Sequence, residues 1–315
     1  MKSSDVLIFK SIVHRTKYYF KRSYQIITKK GFLNFISKFV KIIFEGSKIN
    51  LDKIQIHDDT NLDDIFLKFG TDKGSLDGKK TYLFLESRNP NSKYKNYLDW
   101  INRENPKSFE YQFGYNFTQT YVKLFENIRF NKLKILEIGV ANGHSAASWV
   151  KYFPNSMVYA TDIKKRFKFF YKSKRLRYDC LDCYNVKKVK KYIEQFKYFD
   201  VIIEDADHLH HSMSLNIKNY FPAVKSGGYF ILEDFFDEDD KLRKYKDYNA
   251  KHGKRLMRDW SVTMEEVFEN IKNKTFFEHP VFNKSDQEYL FQNVESVEIV
   301  YGDHPFSSLG ILKKK

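Results

Sequence analysis

Lys134 to Trp149 reads KILEIGVANGHSAASW, and this stretch decides the fold. A short apolar run, Ile135 and Leu136, leads into Glu137, then into a tight turn with Gly139 and Gly143, then into a helix-like run. Glycines at such a turn let the backbone approach a ligand closely, and the free N–H groups that open the following helix face it. The arrangement recurs where an α/β sheet holds a nucleotide-like cofactor. Here the middle glycine of the dinucleotide pattern is replaced by Ala141.

The segments that follow repeat the strand-and-acid theme. Met157 to Ala160 ends in Thr161-Asp162, roughly 20 positions after the glycine turn, the separation at which a carboxylate accepts hydrogen bonds from ribose hydroxyls. Arg175 to Tyr178 leads to Asp179 and Asp182, and Phe199 to Ile203 ends in Glu204-Asp205-Ala206-Asp207-His208. Tyr229 to Leu232 follows a Gly227-Gly228 turn and ends in Glu233-Asp234. Short apolar strands separated by helical lengths are the pattern of a parallel sheet buried on both faces. Ligands of such sheets bind at the carboxyl ends of the strands, where all of these acids fall.

The chain of 315 residues holds one decorated domain or two small ones. A 42% hydrophobic content with 30 Phe and 22 Tyr is ample for a core, and two cysteines argue against a disulfide scaffold and for a reducing compartment. No apolar run is long enough to span a bilayer, and the N-terminus lacks the pattern of a secretory signal, so a cytoplasmic location is expected. The net charge is +15, and residues 1–50 carry eleven Lys or Arg against Asp5 and Glu45. Residues 1–55 therefore read as a basic amphipathic helical extension broken near Gly31. It either covers the domain or a neighbouring subunit of a homo-oligomer, or rests on an anionic membrane at its inner face.

Residues 56–130 form a lead-in, with a helix expected over Leu62 to Phe69, Gly70-Thr71-Asp72-Lys73-Gly74 after it, and a second helix from Thr118 to Ile128. Between them a polar stretch, Ser75 to Glu110, reads as an inserted loop or lid. The α/β core opens the domain 131–315. Asp237 to Arg258 is highly charged and expected to be solvated. Trp260 to Lys274 is expected to be helical with Ser261 near its N-cap, and Val294 to Tyr301 with Ser308 to Leu312 a hairpin on the sheet edge. Cys180 and Cys183 are half of a zinc motif and lack a redox context; they read as plain thiols beside the pocket. His210 and His211 read as surface or helix-start residues.

The order ILEIGVANG, ATDI, DVIIEDADH, KSGGYFILED resembles the class I S-adenosylmethionine-dependent methyltransferases. Among them it is most similar to the metal-dependent sugar O-methyltransferases of macrolide biosynthesis, of the mycinamicin and macrocin type. Those proteins carry a GTDK segment and an HNYT-like segment before the glycine turn. This chain has Gly70-Thr71-Asp72-Lys73 and Tyr115-Asn116-Phe117-Thr118. The resemblance covers about residues 60–312. It implies a Rossmann-like, mostly parallel seven-stranded sheet with an antiparallel terminal hairpin.

The resemblance further implies S-adenosylmethionine as cofactor, with Glu137, Gly139, Gly143, Ser145, Asp162, Asp179, Asp182 and Thr71 as its expected contacts. It implies Mg2+ held by Asp205, Glu233 and Asp234, and His208 as general base beside Asp205. A hard cation on oxygen ligands lowers the pKa of a bound hydroxyl, and a histidine can then remove its proton. Asp207 is an extra carboxylate beside this set, able to join the ion or act on His208, and Tyr115 stands where the family often has histidine. The expected activity is methylation of a sugar hydroxyl on a glycan, a glycosylated metabolite or a lipid-linked sugar, the last pointing to polysaccharide precursors. The alternatives are a nucleic-acid methyltransferase, motivated by the +15 charge, and a cofactor-binding protein without catalysis.

Overall fold

The computed structural model of the protein describes residues 48–75, 115–164, 169–235, 262–302 and 308–315. The basic extension up to residue 47, most of the expected lid and the charged segment 237–258 lie outside the described residues. Asn50–Lys315 forms one of the chain's two compact units, and the elements below belong to it.

In chain order these are α1 (Leu62–Phe69), α2 (Thr118–Phe125), β1 (Lys134–Ile138), α3 (His144–Tyr152), β2 (Met157–Asp162), β3 (Leu176–Cys180) and α4 (Val186–Phe196). There follow β4 (Phe199–Glu204), α5 (His210–Tyr220), β5 (Val224–Glu233), α6 (Met264–Asn273), α7 (Lys284–Asn293), β6 (Val294–Tyr301) and β7 (Ser308–Lys314). The seven strands form one sheet in the order β3-β2-β1-β4-β5-β7-β6. All pairings from β3 to β5 are parallel, and β7 runs antiparallel between β5 and β6. This is the Rossmann-like sheet with a reversed terminal hairpin that the resemblance implies.

Alternation along each strand divides the core into two layers. Ile135 on β1, Val201 and Ile203 on β4 and Ile231 on β5 pack with α1, α2 and α3. Leu136, Ile202 and Leu232 on the same strands face the other way, among the buried residues of α4, α5 and α6. On the first face the Trp149 ring is wholly buried, edge-on to Phe66 at 5.2 Å and to Tyr121 at 5.0 Å. Trp149 thus couples the two lead-in helices to the sheet.

Two local expectations change. The Gly227-Gly228 pair lies inside β5 rather than in a turn before it. The register against β4 jumps from Phe199–Val224 to Val201–Tyr229, so the extra residues form a bulge. Helix α6 starts at Met264, with Thr263 as its cap, because Thr263 and Glu266 form a reciprocal capping box; Ser261 lies outside the described residues. No helix among the described residues is long and apolar enough to cross a membrane.

Truncating Trp149 to alanine removes the ring that both lead-in helices pack on. Trp149→Ala is expected to lower stability by about 3–5 kcal/mol, read from urea unfolding of the full chain; a loss below about 1 kcal/mol would show that the lead-in does not depend on this contact.

Candidate functional site

All five acidic strand ends meet at the carboxyl edge of the sheet, but alternation sends them to different places. Glu137 continues the face of Ile135, and Glu233 that of Ile231, so both carboxylates point under α1–α3. Glu204 continues the face of Ile202 and is turned toward α5, where Asn216 donates to its Oε1 at 2.9 Å.

The loop after β1 is shaped by close approaches. Gly139 has φ +90°, and a Cβ there would lie 2.1 Å from the carbonyl oxygen of Asp205. This glycine lets the β1 loop and the β4 loop touch. Gly143 also has positive φ, and a Cβ there would lie 2.2 Å from the Phe169 ring, so this glycine is required by packing at the start of α3. Asp162, at the end of β2, accepts from the backbone N–H of Ala141 at 2.7 Å and of Lys164 at 2.7 Å. Its carboxylate is thereby fixed at the mouth of a cleft of about 330 Å³.

That cleft is lined by Gly139, Ala141, Asp162, Ile163, Asp182 and Tyr184, with Leu181, Cys183, Ala206 and Asp207 among the others. Exposed Ile163 and Tyr184 give it apolar walls beside its carboxylates. Asp207 accepts from the hydroxyls of Tyr184 and Ser212 and from Leu209 N–H; it serves this wall and the start of α5. The Cys183 thiol is pushed up to about 11, by burial first and then by the charges of Glu204, Asp207 and Asp182. Cys180 and Cys183 are free thiols.

Beyond Gly139 lies a buried charge cluster. Asp205, His208 and Asp234 each offer a ligand atom within 4.8 Å of the others, and His208 Nε2 lies 3.7 Å from Asp205 Oδ1. Asp234 Oδ1 is buried and accepts no hydrogen bond among the described residues. Beside it, Lys73 donates to Asp205 Oδ2 at 2.7 Å and to Glu233, and stands 4.0 Å from Glu137. Glu233 also accepts from the buried Tyr121 hydroxyl. Burial, then the charges of Asp205 and Glu233, hold the Asp234 carboxyl well above its usual range, with Lys73 opposing. Burial likewise pushes Glu137 up to about 7 against the Lys73 charge and the Ser145 hydroxyl. One ammonium does not balance these acids, and an orphaned buried carboxylate oxygen among hard oxygen donors fits a divalent cation.

The lysine is positioned from the lead-in. Asp72, Lys73 and Gly74 carbonyls accept from the N–H groups of Tyr115, Phe117 and Asn116 at 2.7, 2.9 and 2.9 Å. Asp63 on α1 accepts from Ser75 N–H at 2.6 Å and from the Thr118 hydroxyl at 2.7 Å, tying the same two segments together. Non-glycine residues with left-handed backbone include Asn116, Ala141, His208 and Asp234, all bordering this edge. Such conformations cost of order 1–3 kcal/mol each and persist where the surroundings impose them.

No family model matches the chain. It is 28% identical over 127 residues to L-olivosyl-oleandolide 3-O-methyltransferase of Streptomyces antibioticus, covering 38% of this chain and 32% of that protein. It is 27% identical over 127 residues to mycinamicin VI 2''-O-methyltransferase of Micromonospora griseorubida, covering 38% and 31%. The chain is similar to the macrolide-sugar O-methyltransferases. It spans about a third of the length of these curated relatives. Among solved structures, the MycE methyltransferase of the mycinamycin pathway, in complex with Mg and SAH, aligns at 20% identity and a TM-score of 0.47, over 63% of this chain and 49% of that one.

Of the sequence-derived cofactor residues, Gly139, Asp162 and Asp182 line the cleft. Glu137 and Ser145 lie buried beneath it on β1 and α3. Asp179 turns outward to Arg177 at 2.7 Å. Thr71 is buried at the end of α1, its hydroxyl 3.4 Å from Asp72. Asp205, His208 and Asp234 come together, with Glu233 behind them on Lys73 and Tyr121. In the sequence, Thr71, Asp72 and Lys73 read either as residues that close over the active site or as a helix-ending turn, and Tyr121 has no role; the structure buries Lys73 in the charge cluster. For Lys73 the available signal was a basic residue next to the acid of the GTDK segment.

The raised acids have a pH signature. An acid whose pKa is higher folded than unfolded binds its proton more tightly in the native state, so stability is greatest below the unfolded value and is lost as pH rises through the folded one. Glu137 moves from 4.5 to about 7 and Glu204, through burial, from 4.5 to about 8. Without divalent cations, the urea midpoint is expected to fall between about pH 5 and about pH 8. Glu204→Gln, which keeps the Asn216 contact, is expected to flatten the slope; an unchanged slope would remove Glu204 from this account.

Proposed function

We propose that the chain is an S-adenosylmethionine-dependent O-methyltransferase, assisted by Mg2+, that acts on a sugar hydroxyl. The observation that carries the reading is the juxtaposition of the Asp162 cleft with the Asp205, His208 and Asp234 cluster across the Gly139 contact. The relatives support the acceptor class through their named activities, which are methylations at the 3-O and 2''-O positions. The acceptor is then a glycan, a glycosylated metabolite or a lipid-linked sugar. In a cytoplasmic protein, residues 1–55 would make any contact with an anionic membrane or a second subunit.

When bound, the cofactor supplies the methyl group and the ion lowers the pKa of the acceptor hydroxyl. Asp162 holds ribose hydroxyls, because its carboxylate is already aimed by two backbone N–H groups. Asp205 and Asp234 would hold the ion, with Glu233 and Glu137 adding negative charge behind them. His208 takes the hydroxyl proton, and the imidazolium so formed stays beside Asp205 Oδ1 at 3.7 Å. Ile163 and Tyr184 exclude water from one wall of the cleft. Nucleic-acid methylation is the weaker alternative, since Asp162, Asp182 and Asp207 at the cleft repel phosphates.

Calorimetric titration with S-adenosylhomocysteine is expected to show micromolar binding, with a Mg2+ effect; no binding with or without Mg2+ would overturn the reading. Asp162→Ala removes a charged hydrogen-bond acceptor worth about 1.5–3 kcal/mol and is expected to weaken that binding by about tenfold or more. His208→Ala is expected to lower kcat by about 10²–10⁴ with cofactor affinity unchanged; full activity in this variant would remove His208 as the base.

A further inference from the structure

Lys73 is 1% exposed, yet it carries a charge. Its ammonium meets Asp205 Oδ2 at 2.7 Å and Glu233, while its own backbone is pinned to Phe117 N–H at 2.9 Å. A desolvated cation deprived of its carboxylates costs several kcal/mol, and the backbone that carries the side chain is pinned. Lys73 therefore stays in the cluster when another cation arrives.

That residence sets terms for a divalent ion. Asp205 has one oxygen on Lys73, and its other faces His208. Both oxygens of Glu233 are engaged, one by Lys73 and one by Tyr121. Of the three carboxylates Asp205, Glu233 and Asp234, Asp234 offers a buried oxygen, Oδ1, without a hydrogen bond among the described residues. An ion beside Asp205 and Asp234 is repelled by the ammonium on the far side of Asp205 and receives few protein oxygens. Mg2+ bound through one or two carboxylates keeps its remaining positions for water and substrate oxygens. We propose that Lys73 is a positioning residue that competes with the divalent ion for Asp205 and Glu233, and so keeps the ion's coordination sphere open to the acceptor's hydroxyl oxygens. The inference rests on the ion-assisted reading above.

Mn2+ binding to the full chain, followed by electron paramagnetic resonance and water proton relaxation, tests it. Lys73→Met frees carboxylate oxygens and removes a like charge, so Mn2+ is expected to bind at least about tenfold tighter, with fewer exchangeable waters on the ion. Equal or weaker Mn2+ binding in a variant that still binds S-adenosylhomocysteine overturns the proposal. Where Lys73→Met does not fold, wild-type protein labelled with 15N-lysine provides the second measurement. The buried ammonium resonance is expected to shift as Mg2+ is added, and a resonance that does not move overturns the proposal. Wild-type protein that binds S-adenosylhomocysteine but no Mn2+ overturns this proposal together with the ion-assisted part of the functional reading. Mn2+ binding with the wrong Lys73→Met response overturns this one alone.

Discussion

The concentration of carboxylates at one sheet edge is the constraint around which the rest of the molecule is arranged. Glu137, Glu233 and Asp234 are buried, and the charge of Asp205 beside them adds to burial in pushing their pKa values up. Like charges in a poorly solvated place repel strongly, so the fold must bring positive charge and hydrogen-bond donors to them. Lys73 and Tyr121 supply part of this from outside the sheet, one from the segment after α1 and one from α2. The lead-in helices are thus more than a cover for one face of the sheet. Their apolar side chains close the core around Trp149, and their polar ones neutralise the edge.

This arrangement separates two kinds of acid that look alike along the chain. Glu204 and Asp205 are adjacent, but strand alternation puts the first under α5 with Asn216, while the second leaves the strand and joins Lys73. The same division separates Glu233, whose carboxylate is held by Lys73 and Tyr121, from Asp234, whose backbone turns into the left-handed region. A one-residue difference in position decides which partners a carboxylate meets.

Much of this was legible in the sequence because the strands are strongly patterned. Apolar runs ending in acids located β1, β2, β4 and β5 and fixed the edge on which any site must lie, and α1 falls at the expected Leu62–Phe69. The terminal hairpin also falls where expected, with β7 running on to Lys314. What the sequence hid depends on long-range contacts. The GTDK segment marks Lys73 locally but does not show that it is buried; that depends on the pairing of the backbone of residues 72–74 with residues 115–117. The reason for Gly143 was likewise invisible, since the Phe169 ring that demands it is far along the chain. The bulge at Gly227-Gly228 mimicked a turn because both use glycine for the same backbone freedom.

The pairing of Asp72–Gly74 with Tyr115–Phe117, reinforced by Asp63 binding both Ser75 and Thr118, has a consequence for how such chains can diverge. It brings the two ends of the intervening stretch side by side on a fixed base. The entropy of closing a loop grows only logarithmically with its length, by about 0.6 kcal/mol per doubling. Residues can therefore be gained, lost or exchanged between this pair of anchors at little cost to the sheet or the charge cluster. The clasp makes this position a socket for evolutionary insertion, where sequence can change while the charge cluster beside its anchors stays in place.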